Sequence, residues 1–212
     1  MHIDTGNVTI SSIAVGSMDN NVYFLRNRGG DYVVVDAAAE PDAIMEHCAD
    51  GRICQVITTH RHADHIGALA AVIGQCGCSA WSGAADADAI SAATGVPQQI
   101  LCEGDRVRQG DIEADVIELV GHTPGGIALI LRPGSSQGYP SGAPIVITGD
   151  SLFPGGVGKT TTPEDFTTLL SQVEEKIFAA LPDETLILPG HGKPTTLGAE
   201  RGSIAQWWQR GW

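Results

Sequence analysis

Basic residues are scarce in this chain. Lys and Arg together number 12 against 25 Asp and Glu, a formal net charge of −13 with His neutral. The acidic residues are spread along the sequence rather than gathered into a tail. Such a surface repels phosphate backbones and anionic lipid, so neither nucleic acid nor a membrane is an expected partner. Long apolar runs are missing too: no stretch approaches the roughly 18 uninterrupted apolar residues of a membrane span. Met1-His2-Ile3-Asp4 opens without a basic region leading into an apolar run, so no export signal is expected and a cytoplasmic protein is. Cysteines are few and odd in number, namely Cys48, Cys54, Cys76, Cys78 and Cys102. Cys76-Gly77-Cys78 is too tight for the pair spacing of a zinc knuckle, and the five are read as reduced, mostly structural thiols.

What is present is enough apolar residue for one core. The chain has 212 residues, 42% of them hydrophobic, which predicts a single domain over 1–212. With 27 Gly and 11 Pro it is rich in loops without the composition of a disordered chain. Short β-branched or aromatic runs at 8–13, 21–25 and 32–35 predict a meander. Helical spacing follows over 41–49, then a strand at 55–58 and a helix over 64–73. A strand near 80–81 and a helix over 84–93 complete a first half of alternating elements. The second half predicts strands at 105–107, 113–119, 127–131 and 145–148, a long amphipathic helix over 163–181, a strand at 185–188 and a closing helix over 197–207. The Gly- and Ser-rich stretch 133–144 reads as an exposed loop.

The ionisable residues fall at the ends of these strands. His60, His62, Asp64 and His65 lie within six residues, where an apolar strand stops. Three imidazoles and a carboxylate crowded in a core would carry a severe desolvation and electrostatic cost, which a divalent cation reverses. Neutral His nitrogen and Asp oxygen suit zinc, and also iron or manganese. His122, Asp150 and His191 each follow a further apolar run and sit beside glycine, which lets backbone pass close to an occupied site. Together these groups supply donors for two adjacent metals. Asp36 ends another strand and reads equally as a hydrogen-bond partner of a ligand imidazole or as a turn residue before the helix at Pro41. His2 and His47 lack such a context and read as surface residues. The tryptophans at 207, 208 and 212 are expected to pack on the core from the closing helix, with a pocket lining or a subunit contact as the other readings.

The order His-x-His-x-Asp-His, then His, Asp and His, resembles the metallo-β-lactamase superfamily from about Asn20 to Gly192. The resemblance implies an α/β fold, an αββα sandwich with the metal site at one edge. It further implies His60, His62 and His122 around a first metal, Asp64, His65 and His191 around a second, and Asp150 bridging. Because the lactamases proper lack the bridging carboxylate, the chain is more similar to glyoxalase II, the hydroxyacylglutathione hydrolases. By the same resemblance Lys159 is a candidate to hold a carboxylate of the thiol carrier. In that group a C-terminal helical region completes the glutathione pocket; with about twenty residues after His191 that region is not expected here, and another low-molecular-weight thiol, or a simple ester or lactone, is an alternative to glutathione.

Two cations about 3.5 to 4 Å apart would share a water and draw its pKa from 15.7 towards 7, so a bridging hydroxide is the expected nucleophile, oriented by Asp64. A thiolate, of parent pKa about 8.5, departs with little protonation, whereas an amine needs a placed acid; a thioester or activated ester of a small molecule is therefore favoured over an amide. Other readings remain at this point. Relatives with a similar motif oxidise persulfides with one iron held by two His and an Asp, here His60, His122 and Asp150, and a lactone or β-lactam substrate is a further option. A phosphate-loop reading of the glycines before Lys159 fails, because Phe153 stands where its first Gly belongs and the next helix begins only at Thr162-Pro163. A closed structural zinc site is disfavoured because no Cys falls in the ligand segments.

Overall fold

The β-branched runs assemble into two mixed sheets in a computed structural model that describes residues 1–139 and 141–211. In the first sheet, β1 (His2–Asp4), β2 (Val8–Val15), β3 (Asn20–Asn27) and β4 (Asp31–Val35) form an antiparallel meander. β5 (Arg52–Thr58), β6 (Ser79–Gly83) and β7 (Gln99–Leu101) then continue it in parallel. Parallel neighbours need crossovers, which α1 (Pro41–His47), α2 (Ala63–Ile66) with α3 (Leu69–Cys76), and α4 (Ala84–Thr94) supply.

The second sheet takes β8 (Arg106–Gln109), β9 (Ile112–Glu118), β10 (Ile127–Leu131) and β11 (Ile145–Gly149) as an antiparallel run. A small hairpin of β12 (Leu152–Phe153) and β13 (Gly156–Val157) branches off after it. The helix α5 (Pro163–Val173), extended by a π-helical turn over Glu174–Phe178, crosses over to β14 (Leu186–Pro189), which pairs parallel with β11. β15 (Thr195–Thr196), α6 (Leu197–Arg201) and α7 (Ile204–Arg210) close the described chain.

Burial follows the period-2 pattern of the strands. Leu25, Val33, Val35 and Ile57 of the first sheet meet Val116, Leu129, Ile147 and Leu188 of the second in a central core. Phe24, Val34 and Val56 face outward onto Ile44, Leu69, Val72 and Ile90 of the helices. Ile130, Val146 and Ile187 likewise meet Phe166, Leu169, Leu170, Val173 and Trp207 on the other side. These three apolar layers define an αββα sandwich within one domain. Among the described residues no helix is long and apolar enough to cross a membrane.

The structure departs from the periodicity at several places. The expected helix over 64–73 is broken into α2 and α3, because the Ala68 amide turns aside to the Ala37 carbonyl at 2.9 Å. A Cβ at Gly67 would overlap the Ala38 carbonyl, so glycine permits that close pass. The closing helix over 197–207 likewise splits into α6 and α7 around Gly202 and Ser203. β1, β7, β15 and the hairpin β12–β13 lie outside the expected elements, because two or three residues are too few to show a period. His47 is no free surface residue: its ring stacks on Phe24 at 4.0 Å and its Nε2 meets Ser11 Oγ at 2.8 Å. Trp207 is buried, whereas Trp208 is exposed and donates from Nε1 to Glu174 Oε2 at 2.6 Å; Trp212 lies outside the described residues. The loop over 133–144, of which Pro140 is not described, is pinned by Ser136 Oγ donating to the Asp4 carbonyl at 2.8 Å.

Candidate metal centre

β4 and β5 are parallel neighbours, and β9, β11 and β14 point the same way in the second sheet. Their carboxyl ends meet at one edge of the sandwich, and the loops leaving them carry Asp36, His60 to His65, His122, Asp150 and His191. Glycine lets these loops approach. Gly149 adopts φ 48° and packs on the Thr59 side chain, while a Cβ at Gly190 would overlap Asp150 Oδ1 and His65 Cε1.

His60, His62 and His122 converge with ligand atoms within 4.8 Å of one another, and so do Asp64, His65 and His191. The carboxylate of Asp150 lies between the two groups. Its Oδ2 is 4.0 Å from His60 Nε2, 3.6 Å from His122 Nε2 and 3.4 Å from His191 Nε2, and its Oδ1 is 3.4 Å from His65 Nε2. Asp64 Oδ2 is 3.2 Å from His191 Nε2 and 3.5 Å from His65 Nε2.

The opposite nitrogens of His60, His65, His122 and His191 are held from outside. His65 Nδ1 meets Asp36 Oδ2 at 2.8 Å, His122 Nδ1 donates to the Lys159 carbonyl at 2.6 Å, and His191 Nδ1 donates to the Met18 carbonyl at 3.0 Å. Thr59 Oγ1 gives its proton to Asp36 Oδ2 at 2.8 Å and so accepts from His60 Nδ1 at 3.0 Å. These acceptors assign the ring protons to Nδ1 and aim the Nε2 lone pairs inward, the arrangement of metal-ligating imidazoles. His60 Nε2, His122 Nε2 and Asp150 Oδ1 are buried without a hydrogen-bond partner. Buried polar atoms without partners are costly, and cations at the centre would satisfy all of these. The donor set and its orphaned atoms therefore fit one or two divalent ions.

The electrostatics agree with that fit. Burial pushes His60 well below its usual value, and the neighbouring His65 adds to the shift. Burial and His122 lower His62 as well. His65 feels the same burial, but Asp36 and Asp150 outweigh it and raise the imidazole to about 10. His191 is raised by its contact with Asp150. Burial disfavours the charged Asp150, yet His191, His65 and His60 hold its carboxyl far below the carboxylate range. Asp64 behaves alike, with burial outweighed by a hydrogen bond from Asn20 and by His65. Ionised Asp64 and Asp150 thus set negative charge beside the inward Nε2 atoms, where a cation would be held.

Two supports escaped the sequence reading. Asn20 Nδ2 donates to Asp64 Oδ2 at 2.8 Å and lies 3.3 Å from His191 Nε2; in sequence it is one more turn residue. Asp86 is fully buried at the start of α4 and accepts from the Arg61 and Gly125 amides at 3.1 Å each and from Thr123 Oγ1 at 2.6 Å. It thereby ties the His60 loop to the His122 loop, and its place right after a strand end was the available signal. Asp36 does not cap α1, whose N-cap is Glu40. Instead Asp36 takes φ 59° and, besides His65, accepts from the Thr59 amide at 2.7 Å. Lys159 is an exposed residue whose carbonyl bonds His122, and α5 begins after it with Thr162 as cap, so no helix start faces the glycines before Lys159.

The sequence model of the metallo-beta-lactamase superfamily matches residues 15–191, and the chain belongs to that superfamily of metal-dependent hydrolases. Among its relatives, hydroxyacylglutathione hydrolase from Synechococcus sp. (strain CC9902) is 32% identical over 183 residues, covering 84% of this chain and 68% of that protein. Hydroxyacylglutathione hydrolase GloC from Haemophilus influenzae is 26% identical over 216 residues, covering 92% and 96%. Among solved structures, TTHA1623 in a di-iron-bound form aligns with a TM-score of 0.68 at 28% identity, covering 90% of this chain and 96% of that one. The superfamily and sandwich implied by the motif order are thus those of the protein.

Proposed function

We propose that the protein is a binuclear metallohydrolase that cleaves a thioester or activated ester of a small molecule. His60, His62 and His122 would hold one divalent cation, Asp64, His65 and His191 the other, and Asp150 would stand between them. The observation that carries this reading is the place of Asp150, whose carboxylate faces Nε2 atoms of both groups at 3.4–4.0 Å. When bound, such a cation pair activates a shared water near neutral pH and polarises a carbonyl. Zinc, iron and manganese all suit the donors, and the di-iron form of TTHA1623 supports a two-metal filling.

The chain's own residues do the rest. Asp64, ionised at neutral pH and fixed by Asn20, orients the attacking water and takes its proton. Asp36, Thr59 and the Met18 and Lys159 carbonyls keep the imidazoles in register. Beside the centre, Phe153 lies 6.4 Å from the His191 ring and lines a hollow of about 410 Å³ with Val157, Phe166 and Arg210. Apolar walls with one guanidinium suit an acyl or thiol moiety that carries a carboxylate. The hydroxyacylglutathione hydrolases among the relatives support thioester chemistry. Lys159 is proposed as a further contact to such a carboxylate, and the compartment is proposed to be the cytoplasm.

A second reading rests on two of the orphaned atoms. His60 Nε2 and His122 Nε2 are unpartnered, and Asp150 Oδ2 stands 4.0 and 3.6 Å from them, a two-histidine, one-carboxylate set that suits a single iron and the oxidation of a persulfide. Elemental analysis of the purified protein, combined with thioester, lactone and β-lactam hydrolysis and with oxygen uptake on a persulfide, separates the two. Hydrolysis with two metals per chain is expected, and Asp150→Ala is expected to abolish it. Unchanged turnover in Asp150→Ala would remove the bridging role, and one iron with oxygen uptake would overturn hydrolysis.

A further inference from the structure

At the opposite end of β5 a second set of reactive side chains gathers. About 20 Å of extended chain separates Cys54, near the start of that strand, from His60 after its end. Cys76 ends α3, Gly77 turns the chain at φ 66°, and Cys78 leads into β6, the parallel neighbour of β5. The two sulfurs face each other, Sγ to Sγ 2.9 Å, across that turn. The separation is shorter than two sulfur atoms keep in ordinary packing. Cys54 is the extra residue of a β-bulge, since Tyr32 pairs with Ile53 and Val33 with Gln55. A bulge re-aims its side chain, and Cys54 lines a hollow of about 380 Å³ together with Arg52, Cys76, Cys78, Ser79 and Gln109.

We propose that Cys76 and Cys78 are a redox-active dithiol that closes to a disulfide on reaction with a low-molecular-weight disulfide entering this hollow. Residues two apart across a turn have Cα atoms about 5–7 Å apart, within the span of a disulfide. Apart from Cys76 and Cys78 themselves, no heavy atom lies within 4 Å of where a Cβ would sit on Gly77, so nothing else packs against that side of the turn. Both thiols are half-buried and reachable through the hollow. The Cys76 thiolate attacks one sulfur of the incoming disulfide, forming a mixed disulfide and expelling one thiolate. The Cys78 thiol, losing its proton, then attacks the Cys76 sulfur and expels the second thiolate. Two cysteines are oxidised, one small disulfide is reduced to two thiols, and the protons end on those thiols. Burial and the contact with Cys76 push the Cys78 thiol up, which suits its acting second.

The test equilibrates the reduced, full-length, metal-loaded protein with mixtures of oxidised and reduced glutathione, quenches with an alkylating maleimide and maps the peptides by mass spectrometry. Loss of two of the five alkylation sites is expected, with a peptide two hydrogens lighter that contains Cys76 and Cys78. Cys54→Ser is expected to retain that product. Cys78→Ser is expected to stop at a glutathione adduct on Cys76. Five alkylated cysteines at every ratio, a pairing that involves Cys48 or Cys54, or a stable glutathione adduct as the sole product of the unaltered chain would each overturn the proposal.

Discussion

Asp36 shows how much a single side chain does here. Its left-handed backbone is an uncommon conformation for a residue other than glycine, tolerated best by Asn and Asp. That conformation lets one carboxylate bond the Thr59 amide, the Thr59 hydroxyl and His65 Nδ1. Asp36→Asn should keep the fold, read by circular dichroism, and weaken metal affinity about 10- to 100-fold in a chelator competition; undiminished affinity would show that His65 needs no such partner. His47 makes a separate prediction, far from the metals. Burial lowers it below 6.5, against a smaller opposing pull from Asp50. The unfolded chain therefore takes up this proton first, so stability present above pH 6.5 is lost as the pH falls from 6.5 through the folded value. His47→Gln should lose less unfolding free energy than the parent between about pH 7.5 and 5.5 in denaturant titrations. Equal losses would mean that the His47 stack does not affect its titration.

Among the elements, α5 carries the sharpest local signal. Thr162 accepts from the Asp165 amide at 3.1 Å, Asp165 Oδ2 accepts from the Thr162 amide at 3.2 Å, and Pro163 occupies the first helical position. Thr162→Ala should cost about 1 kcal/mol, read as a drop of about 2–4 °C in the melting temperature, with turnover unchanged. A larger drop would mean that the start of α5 helps hold the Lys159 carbonyl against His122. The broken helix over 64–73 teaches the converse. Its apolar spacing is continuous through Ile66, Leu69, Ala70 and Ile73, but the bond from Ala68 to Ala37 serves the loop after β4 instead of the helix. Periodicity finds the buried Ile66 and Leu69, but not that Ala70 is exposed and Ala68 buried, nor which distant carbonyl claims an amide.

At the scale of the molecule, the proposed ligands come from both sheets: the loop after β5 belongs to the first, and those after β9, β11 and β14 to the second. Asn21 and Tyr23 of the first sheet also bond the Pro189 carbonyl of the second, at 3.0 and 2.6 Å. Metal bound across this seam would stabilise the pairing of the halves by mass action. At free metal a thousandfold above Kd the gain is about 4 kcal/mol, so stripping metal with a chelator should lower the melting temperature by on the order of 10 °C, reversed by adding metal back. An unchanged melting temperature in protein shown to have lost its metal would argue against ligands drawn from both sheets.

The amino-acid order by itself determined the alternation of elements, the superfamily and the strand ends at which His60, His122, Asp150 and His191 fall, because period and strand termini are local properties. It did not reveal Asn20 or Asp86, whose work is done on loops far along the chain. Nor did it say which atom holds each imidazole proton. The partners of His65, His122 and His191 lie 29, 37 and 173 residues away, and only the folding of two sheets against each other sets them within hydrogen-bond reach. The thiol pair divides the same way: Cys76-Gly77-Cys78 is plain in the sequence, but a bulge in β5, created by its pairing with β4, brings Cys54 to the same hollow.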